Sequence, residues 1–455
     1  MLEKITVENL FCFKNSTSLS FLASKERNRN TDDLYCGFTT LNKQNILKLV
    51  YVFGNNGAGK SKFLRSFALF RGILLHSNKE KMDKLPYHPF AFDESYLSRP
   101  SAVSAVFNIG ESRFRYNLRW DATRIVEETI ELLKTQTSIV LLKRSIDSDF
   151  TVIIEDNRKL ALSSSDRDII KRDALCNSSI LSYVPSKNIE NPTLNEIFNY
   201  FNEGFRFVRL EEVNLPDSLP DGRDKSKQRL KQVVLNVMQS VDSNIKDYEV
   251  FDVKPELPQE ILDMFKDRPD MITAFLKSLP KHAVNTLHNV NGEKLIPLPL
   301  DDQSEGTKDM LRLLVVLNNA ISKGRMVILD DFSSGIHKTS LQEILKFFLG
   351  VDKHGQLVIA SQDRSLLDST LVRRDSVRLA IKDQYGVSTI ENLALKDIHK
   401  NLSLSKYLFT NNKFGQLPEI KPEFVEKAIE IYNQFFDATI ETYSDKDESV
   451  DEFEE

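Results

Sequence analysis

The chain opens with a period of two. Ile5, Val7 and Leu10 are set off by Thr6, Glu8 and Asn9, and Leu19, Phe21 and Ala23 continue the rhythm after Lys14-Asn15-Ser16. Such alternation belongs to half-buried strands, so a β-hairpin is predicted. The polar stretch from Ser24 to Asn45 reads as a loop. Leu47-Lys48-Leu49-Val50-Tyr51-Val52-Phe53 is a short apolar run of buried-strand type. Behind it the period becomes helical: Phe63, Leu64, Phe67, Ala68, Phe70 and Ile73 fall on one face. Polar residues from Asn78 to Asp83, then Pro86 and Pro89, end that helix. Strands return over Ala102–Phe107, Phe114–Leu118, Thr129–Leu133 and Phe150–Ile154. Their close spacing predicts an antiparallel sheet rather than βαβ units.

Between about Ser163 and Pro280 the spacing is helical and the charge density high, over Asp166–Leu175, Leu194–Phe201, Lys225–Val241 and Pro258–Leu279. A loop with two Pro-Asp pairs and a Gly, Asn214 to Asp224, separates them. This predicts a helical lobe inserted into an α/β head. The head resumes near Leu295. A helix follows Gly306 (Met310, Leu311, Leu313, Leu314, Leu317), then a buried strand, Met326–Leu329, ending in Asp330-Asp331. A helix over Leu341–Phe348, a strand over Leu357–Ala360, a hairpin of Val377–Ile381 and Val387–Glu391, and helices near Ser403–Leu408 and Pro422–Phe436 complete the reading. The expected units are residues 1–162 and 295–440, the two parts of the head, 163–294, the lobe, and 441–455, a tail.

A chain of 455 residues fits two or three such units. At 41% hydrophobic and 28% charged residues it has an ordinary globular composition. No apolar run of about 18 residues is present, which predicts no membrane span. Met1-Leu2-Glu3-Lys4 lacks the apolar core of a signal peptide. Cys12, Cys36 and Cys176 are sparse and far apart, so they read as reduced thiols in a cytoplasmic protein. The net charge of −5 is uneven: eight acids against Lys446 between Glu441 and Glu455 leave the remainder near +2. A near-neutral body gives no compositional signal for nucleic acid. The acidic tail reads as disordered, with a docking role for a basic partner as its livelier interpretation.

The chemistry lies at the ends of the apolar runs. Gly54-Asn55-Asn56-Gly57-Ala58-Gly59-Lys60-Ser61 matches the phosphate-binding P-loop pattern. The glycines let backbone N–H groups close on phosphate oxygens. Lys60 brings a positive charge to the β- and γ-phosphates of ATP, and Ser61 offers a hydroxyl to Mg2+ at the start of a helix. Strand, Gly-rich turn and helix in sequence is the context the motif requires. Asp330, at the end of an apolar strand, is placed to bind the same Mg2+ in Walker B fashion, and Asp331 to orient the attacking water. Ser304-Glu305-Gly306-Thr307 opens a helix, either as a cap or as a phosphate-binding turn.

The order of these elements resembles the ABC-type ATPase heads of the SMC/RecF kind. More closely, the chain is similar to the AbiL-like abortive-infection ATPases, relatives of the ATPase modules of OLD-type and PARIS phage-defence systems. The likeness rests on Ile5-Thr6-Val7-Glu8-Asn9-Leu10, the P-loop, Pro89-Phe90-Ala91-Phe92-Asp93, Phe114-Arg115-Tyr116, Ser304 to Thr307, Leu329-Asp330-Asp331-Phe332, Arg373-Arg374-Asp375, Tyr407 and Phe414-Gly415-Gln416-Leu417-Pro418. It implies that Ser304, Glu305, Gly306 and Thr307 meet ATP held by a second subunit. It also implies that Ser334-Gly335-Ile336-His337 lies at the dimer seam, and that Phe90 to Asp93 occupies the Q-loop region, though without a glutamine. Two positions depart from such heads: Asp331 replaces the usual Glu, and Gln362 stands where a switch histidine is expected. Gln can hydrogen-bond a γ-phosphate or water but takes no proton at neutral pH. Slow hydrolysis is expected, with Asp331 and Gln362 as the catalytic candidates.

Fewer than a hundred residues follow Gln362, with no Toprim-type acid cluster on a strand and no Cys/His set of zinc spacing. The implied function is an ATP-dependent sensor or scaffold in phage defence. It would be built of head-to-tail ATP-sandwiched copies, answer to a phage protein trigger and control a separate toxin or Toprim-like nuclease. The alternative is a RecF- or SMC-like ATPase that clamps DNA in repair. A transporter subunit is disfavoured by the Ser-Glu-Gly-Thr signature and the long insertion.

Overall fold

A computed structural model describes residues 1–24, 37–147, 150–187, 189–223, 225–242, 244–253, 257–279, 281–290, 292, 294–332, 335–351, 355–363, 366, 367, 369, 371–395, 403–409, 423–429 and 431. In chain order it forms β1 (Leu2–Glu8), β2 (Thr17–Ser20), β3 (Phe38–Leu41), β4 (Gln44–Leu47), β5 (Leu49–Phe53), α1 (Lys60–Leu75) and α2 (Glu94–Leu97). Then come β6 (Ser101–Ile109), β7 (Ser112–Trp120), β8 (Ile125–Leu133), β9 (Ser138–Ile146), β10 (Val152–Asp156), α3 (Ser164–Asp173), α4 (Pro192–Glu203), β11 (Phe205–Val208), α5 (Leu215–Ser218) and α6 (Lys225–Val241). The remainder is β12 (Ile245–Asp252), α7 (Gln259–Met264), α8 (Pro269–Ser278), β13 (His282–Val290), β14 (Lys294–Pro299), α9 (Glu305–Lys323), β15 (Met326–Leu329), α10 (Lys338–Gly350), β16 (Gln356–Ser361), β17 (Val377–Lys382), β18 (Ser388–Asn392) and α11 (Leu404–Phe409).

The centre is a six-stranded sheet in the order β11-β15-β16-β5-β17-β18, parallel except for the antiparallel β18. Its inner strands β15, β16 and β5 are buried on both faces. Val50, Val52, Ile328 and Val358 pack on one side, and Tyr51, Phe53, Leu329 and Ile359 on the other. That double burial is why these segments read as continuous apolar runs. A second sheet, β10-β9-β8-β7-β6-β1-β2, is antiparallel throughout. α1 lies between the two sheets, where Phe67 and Phe70 meet Phe205, Tyr116 and Phe201 edge-on. On the opposite face of the central sheet, α6, α9 and α10 share its second core. The α/β head with its antiparallel β subdomain is the architecture that the sequence predicts.

Several elements differ from the sequence reading. The stretch 163–294 is not wholly helical: β11 enters the central sheet beside β15, and β13 pairs with β12 on one side and β14 on the other in a three-stranded sheet. Pro269 starts a new helix, so the helix expected over Pro258–Leu279 is two, α7 and α8. A hairpin, β3–β4, stands inside the expected loop, turned by Asn42 and Lys43 at φ 49° and 64°. β9 carries Arg144, whose guanidinium is fully buried 3.9 Å from the equally buried Glu128. The acidic tail and the Phe414–Pro418 stretch lie outside the described residues.

Gln356 fastens the two sheets together. Its side chain accepts from Leu2 N at 2.7 Å and donates to Leu2 O at 2.9 Å and Leu47 O at 3.3 Å. From the start of β16 it thereby ties the central sheet to β1 and to the end of β4. Replacing Gln356 by Leu strands these buried backbone groups, at about 1–3 kcal/mol each. The expected result is a lower thermal unfolding midpoint and faster hydrogen exchange at the Leu2 amide. Unchanged exchange there would show that the fastening is dispensable.

Candidate nucleotide-binding site

β5 runs straight into the loop Gly54–Gly59, and α1 begins at Lys60. Gly57 and Gly59 hold φ 78° and 104°, the left-handed region where a side chain is strained. Gly54 is required for a different reason: a Cβ there would lie 2.6 Å from the carbonyl oxygen of Ala380 on β17. No side chain caps the first turn of α1, and no acid occupies it. Its N–H groups and positive dipole end are therefore left for an anion. Lys60 folds back over the loop and donates to Gly54 O at 2.7 Å and Asn55 O at 3.0 Å. Burial lowers its pKa, and the carboxylates of Asp331 and Asp330 oppose that shift.

The sheet order brings the second element in. β16 lies between β5 and β15, so the ends of the P-loop strand and of β15 are one strand apart. Ser61 Oγ donates to Asp330 Oδ1 at 2.9 Å, and Asp331 N donates to the same oxygen at 3.0 Å. A hydroxyl and a carboxylate already in contact, beside a phosphate-binding loop, are the hard oxygen donors that Mg2+ takes together with substrate phosphates. The residues present therefore fit the ion. Asp331 is exposed and sits at φ 52°, uncommon for a residue with a side chain. β16 ends at Ser361, whose hydroxyl donates to Phe332 O at 2.5 Å and pins the chain just beyond Asp331. Gln362 follows, exposed at the end of the strand between the other two.

Ser304 is the N-cap of α9: its Oγ accepts from Thr307 N at 3.2 Å and lies 3.0 Å from Thr307 Oγ1. The cap reading of this turn is thus correct as far as it goes, and the hydroxyls remain exposed. Glu305 pairs with Lys308 at 2.7 Å and Arg312 at 3.3 Å, which lower its pKa in that order. Gly306 faces Gly335 so closely that a Cβ would lie 3.0 Å from Gly335 O. Gly335 N donates to Asp309 Oδ2 at 3.3 Å. Ser334 lies outside the described residues. His337 caps α10 through Thr339 N at 3.4 Å, a helix-start histidine. Among the described residues no hydrogen bond joins Ser304 to Thr307 with the P-loop of the same chain. Lys60, Ser61, Asp330 and Asp331 come together; the Ser-Glu-Gly-Thr turn stands apart.

Two contributors were missed by sequence reasoning. β11 neighbours β15, and the chain leaving it lines a cavity of about 230 Å3 with Leu210 and Glu211, opposite Asp330, Asp331, Glu305 and Arg312. This loop, not Phe90 to Asp93, flanks the end of β15. Phe92 instead packs over Gly386, and Asp93 pairs with Lys14 at 2.8 Å. The alternation Phe205-Arg206-Phe207-Val208 was the available signal for β11. The second contributor is Phe11, stacked on His88 at 5.0 Å with the Lys62 ammonium 5.0 Å above its ring. Next to it, Cys12 and Ser388 crowd Gly59. This shelf beside the start of α1 offers flat faces of nucleobase size.

A family model described as "AAA domain, putative AbiEii toxin, Type IV TA system" matches residues 49–368, from β5 to just past Gln362. That span is well over half of the chain. The chain belongs to this family. It is an ATPase-family chain, and a nucleotide site with its ion is the corresponding expectation for Lys60, Ser61 and Asp330. Among solved structures, the chain is similar to the SMC head domain from Thermotoga maritima. The identity is 12%, with 86% of this chain and 98% of that chain covered and a TM-score of 0.40. It is also similar to an SMC head bound to the C-winged helix domain of ScpA, at 12% identity, 90% and 99% coverage and a TM-score of 0.42. No curated protein matches the sequence. Among the described residues no helix is long and apolar enough to cross a membrane.

Two substitutions test the family's site on this chain. Lys60→Ala should weaken ATP binding, measured by calorimetry, by about a hundredfold or more, the worth of a lost charge-assisted contact. Unchanged affinity would rule the site out. Asp331→Ala should keep ATP affinity and lose turnover by about a hundredfold. Turnover at the parent rate would assign the water to another residue.

Proposed function

We propose that the chain is an ATP-driven switch in anti-phage defence that holds or releases a separate toxin or nuclease. It would be related to the AbiL-like ATPases and to those of OLD-type and PARIS systems. The observation that carries this reading is the division of the site. A complete P-loop, Ser61–Asp330 pair and Asp331 stand in one place, while the exposed Ser304 turn opens a helix with no phosphate of its own. A second copy of the chain supplies that phosphate, so ATP joins two copies head to tail.

In this reading Lys60 leaves Gly54 O and Asn55 O for the β- and γ-phosphates, and the N–H groups of Gly57 to Ser61 close on their oxygens. Ser61 and Asp330 hold Mg2+, which neutralises the phosphate charge when bound. Asp331 accepts a hydrogen bond from the attacking water and holds it in line. Gln362 donates to the γ-phosphate but moves no proton, which keeps turnover slow. ATP binding then favours one assembly. A trigger shifts it only through differential affinity for the two assemblies, and the 163–294 stretch is the surface we assign to trigger or partner.

The family description names a toxin, which sets the rival reading: the chain itself is the harmful component. Expressed alone, the chain should leave growth unaffected. With its companion gene it should protect against phage, and Lys60→Ala should remove the protection. Growth arrest by the single chain would favour the rival, and ATP-dependent retention of DNA without any phage phenotype would favour the clamp. Ser304→Arg should abolish the ATP-dependent rise in light scattering that marks association. An assembly indifferent to both ATP and that change would overturn the sandwich.

A further inference from the structure

At the far end of α9 from Ser304, a cavity of about 300 Å3 opens beside the edge strand β11. Its floor is apolar, made by Val208, Val316, Ala320 and Val327. Its polar lining is Arg206, Lys323, Arg325 and the amide of Asn319. On β11 the alternation sets Phe205 and Phe207 against Phe67 on one face, which turns Arg206 and Val208 to the other, toward α9.

Two of the three cations lack a protein acceptor, and the third has only a distant one. Among the described residues Arg206 and Lys323 make no ion pair or side-chain hydrogen bond. The Arg325 side chain is only 13% exposed, and its one partner is the exposed Glu203, at 3.9 Å. A half-buried guanidinium with only this distant partner is free to take a closer acceptor. The negative end of α9 offsets part of this charge, but a helix terminus amounts to only about half an elementary charge. Arg206 also presses on a neighbour: the pKa of Arg71 is lowered by burial first and by Arg206 second. With Arg71 nearby, four positive charges stand against the single carboxylate of Glu203, an excess that suits a phosphate anion. Guanidinium forks recognise its oxygens in a bidentate manner.

We infer that Arg206, Lys323 and Arg325 form a second anion site, separate from the P-loop, that takes the phosphate group of a small ligand. The apolar floor suits the carbon body of a phosphomonoester, and the cavity is too small for more than one such group with its substituent. The site does not depend on the proposed defence role. α9 has 19 residues and spans about 28 Å, so Lys323 lies a helix length from the signature turn, while the other end of the cavity adjoins the one beside Asp330 at their shared residue, Val208.

The test uses the full chain carrying Lys60→Ala, so that the P-loop does not compete. Inorganic phosphate and pyrophosphate are titrated by calorimetry at constant ionic strength, with sulfate and chloride as controls. One site per chain is expected, weakened about tenfold or more by Lys323→Ser and by Arg206→Ser. Both positions are exposed, and retained ATP affinity of the same changes in the Lys60 parent verifies the fold. Arg325→Lys should weaken binding less than Arg325→Met, because charge is kept and the fork is lost. Absence of phosphate binding in the Lys60→Ala chain, or binding indifferent to Lys323→Ser and Arg206→Ser, would overturn the inference. So would tight binding of a short single-stranded DNA with none of free phosphate, which would mark a nucleic-acid surface instead.

Discussion

The helix behind the P-loop has to be covered from two sides, and the rest of the head follows from that. Phe63, Phe67 and Phe70 project from α1 into the core shared by both sheets. A helix on a single sheet buries one stripe; here a second sheet closes over it. The antiparallel sheet is therefore not an appendage. It fixes the angle at which α1 leaves the loop, and with it the direction of the N–H groups that face a phosphate. Gln356 and the buried Lys48, which donates to Leu349 O at 2.9 Å at the end of α10, hold the layers in register around this helix.

The central sheet was legible because both of its faces are covered. Met326–Leu329 is four apolar residues in a row, and the strand has those same limits. The P-loop needed no tertiary information at all, since its residue types and spacing are the geometry. β11 gave only a four-residue alternation, because Arg206 sits between two phenylalanines at the sheet edge and breaks the apolar run that marks the inner strands. β9 was hidden by Lys143-Arg144-Ser145: charged residues argue against a buried strand unless a partner as distant as Glu128 is foreseen. The β3–β4 turn was invisible for a related reason. Asn42 and Lys43 take positive φ without the glycine that usually announces such a turn. At the site, Glu211 escaped notice because only sheet order, not sequence order, places it opposite Asp331.

The two halves of the divided site are not free of each other. Glu305, Asp309 and Arg312 form ion pairs on the first turns of α9, but such partly exposed pairs contribute only about 0–1 kcal/mol each. They cannot by themselves couple the signature turn to β15. The close approach of Gly306 to Gly335 can, because packed backbones transmit displacement where flexible side chains absorb it. Gly335 lies four residues beyond Asp331, and Ser361 holds the intervening Phe332 carbonyl. If a second copy engages Ser304, as proposed, the Gly306–Gly335 approach is where that engagement meets the segment that follows β15.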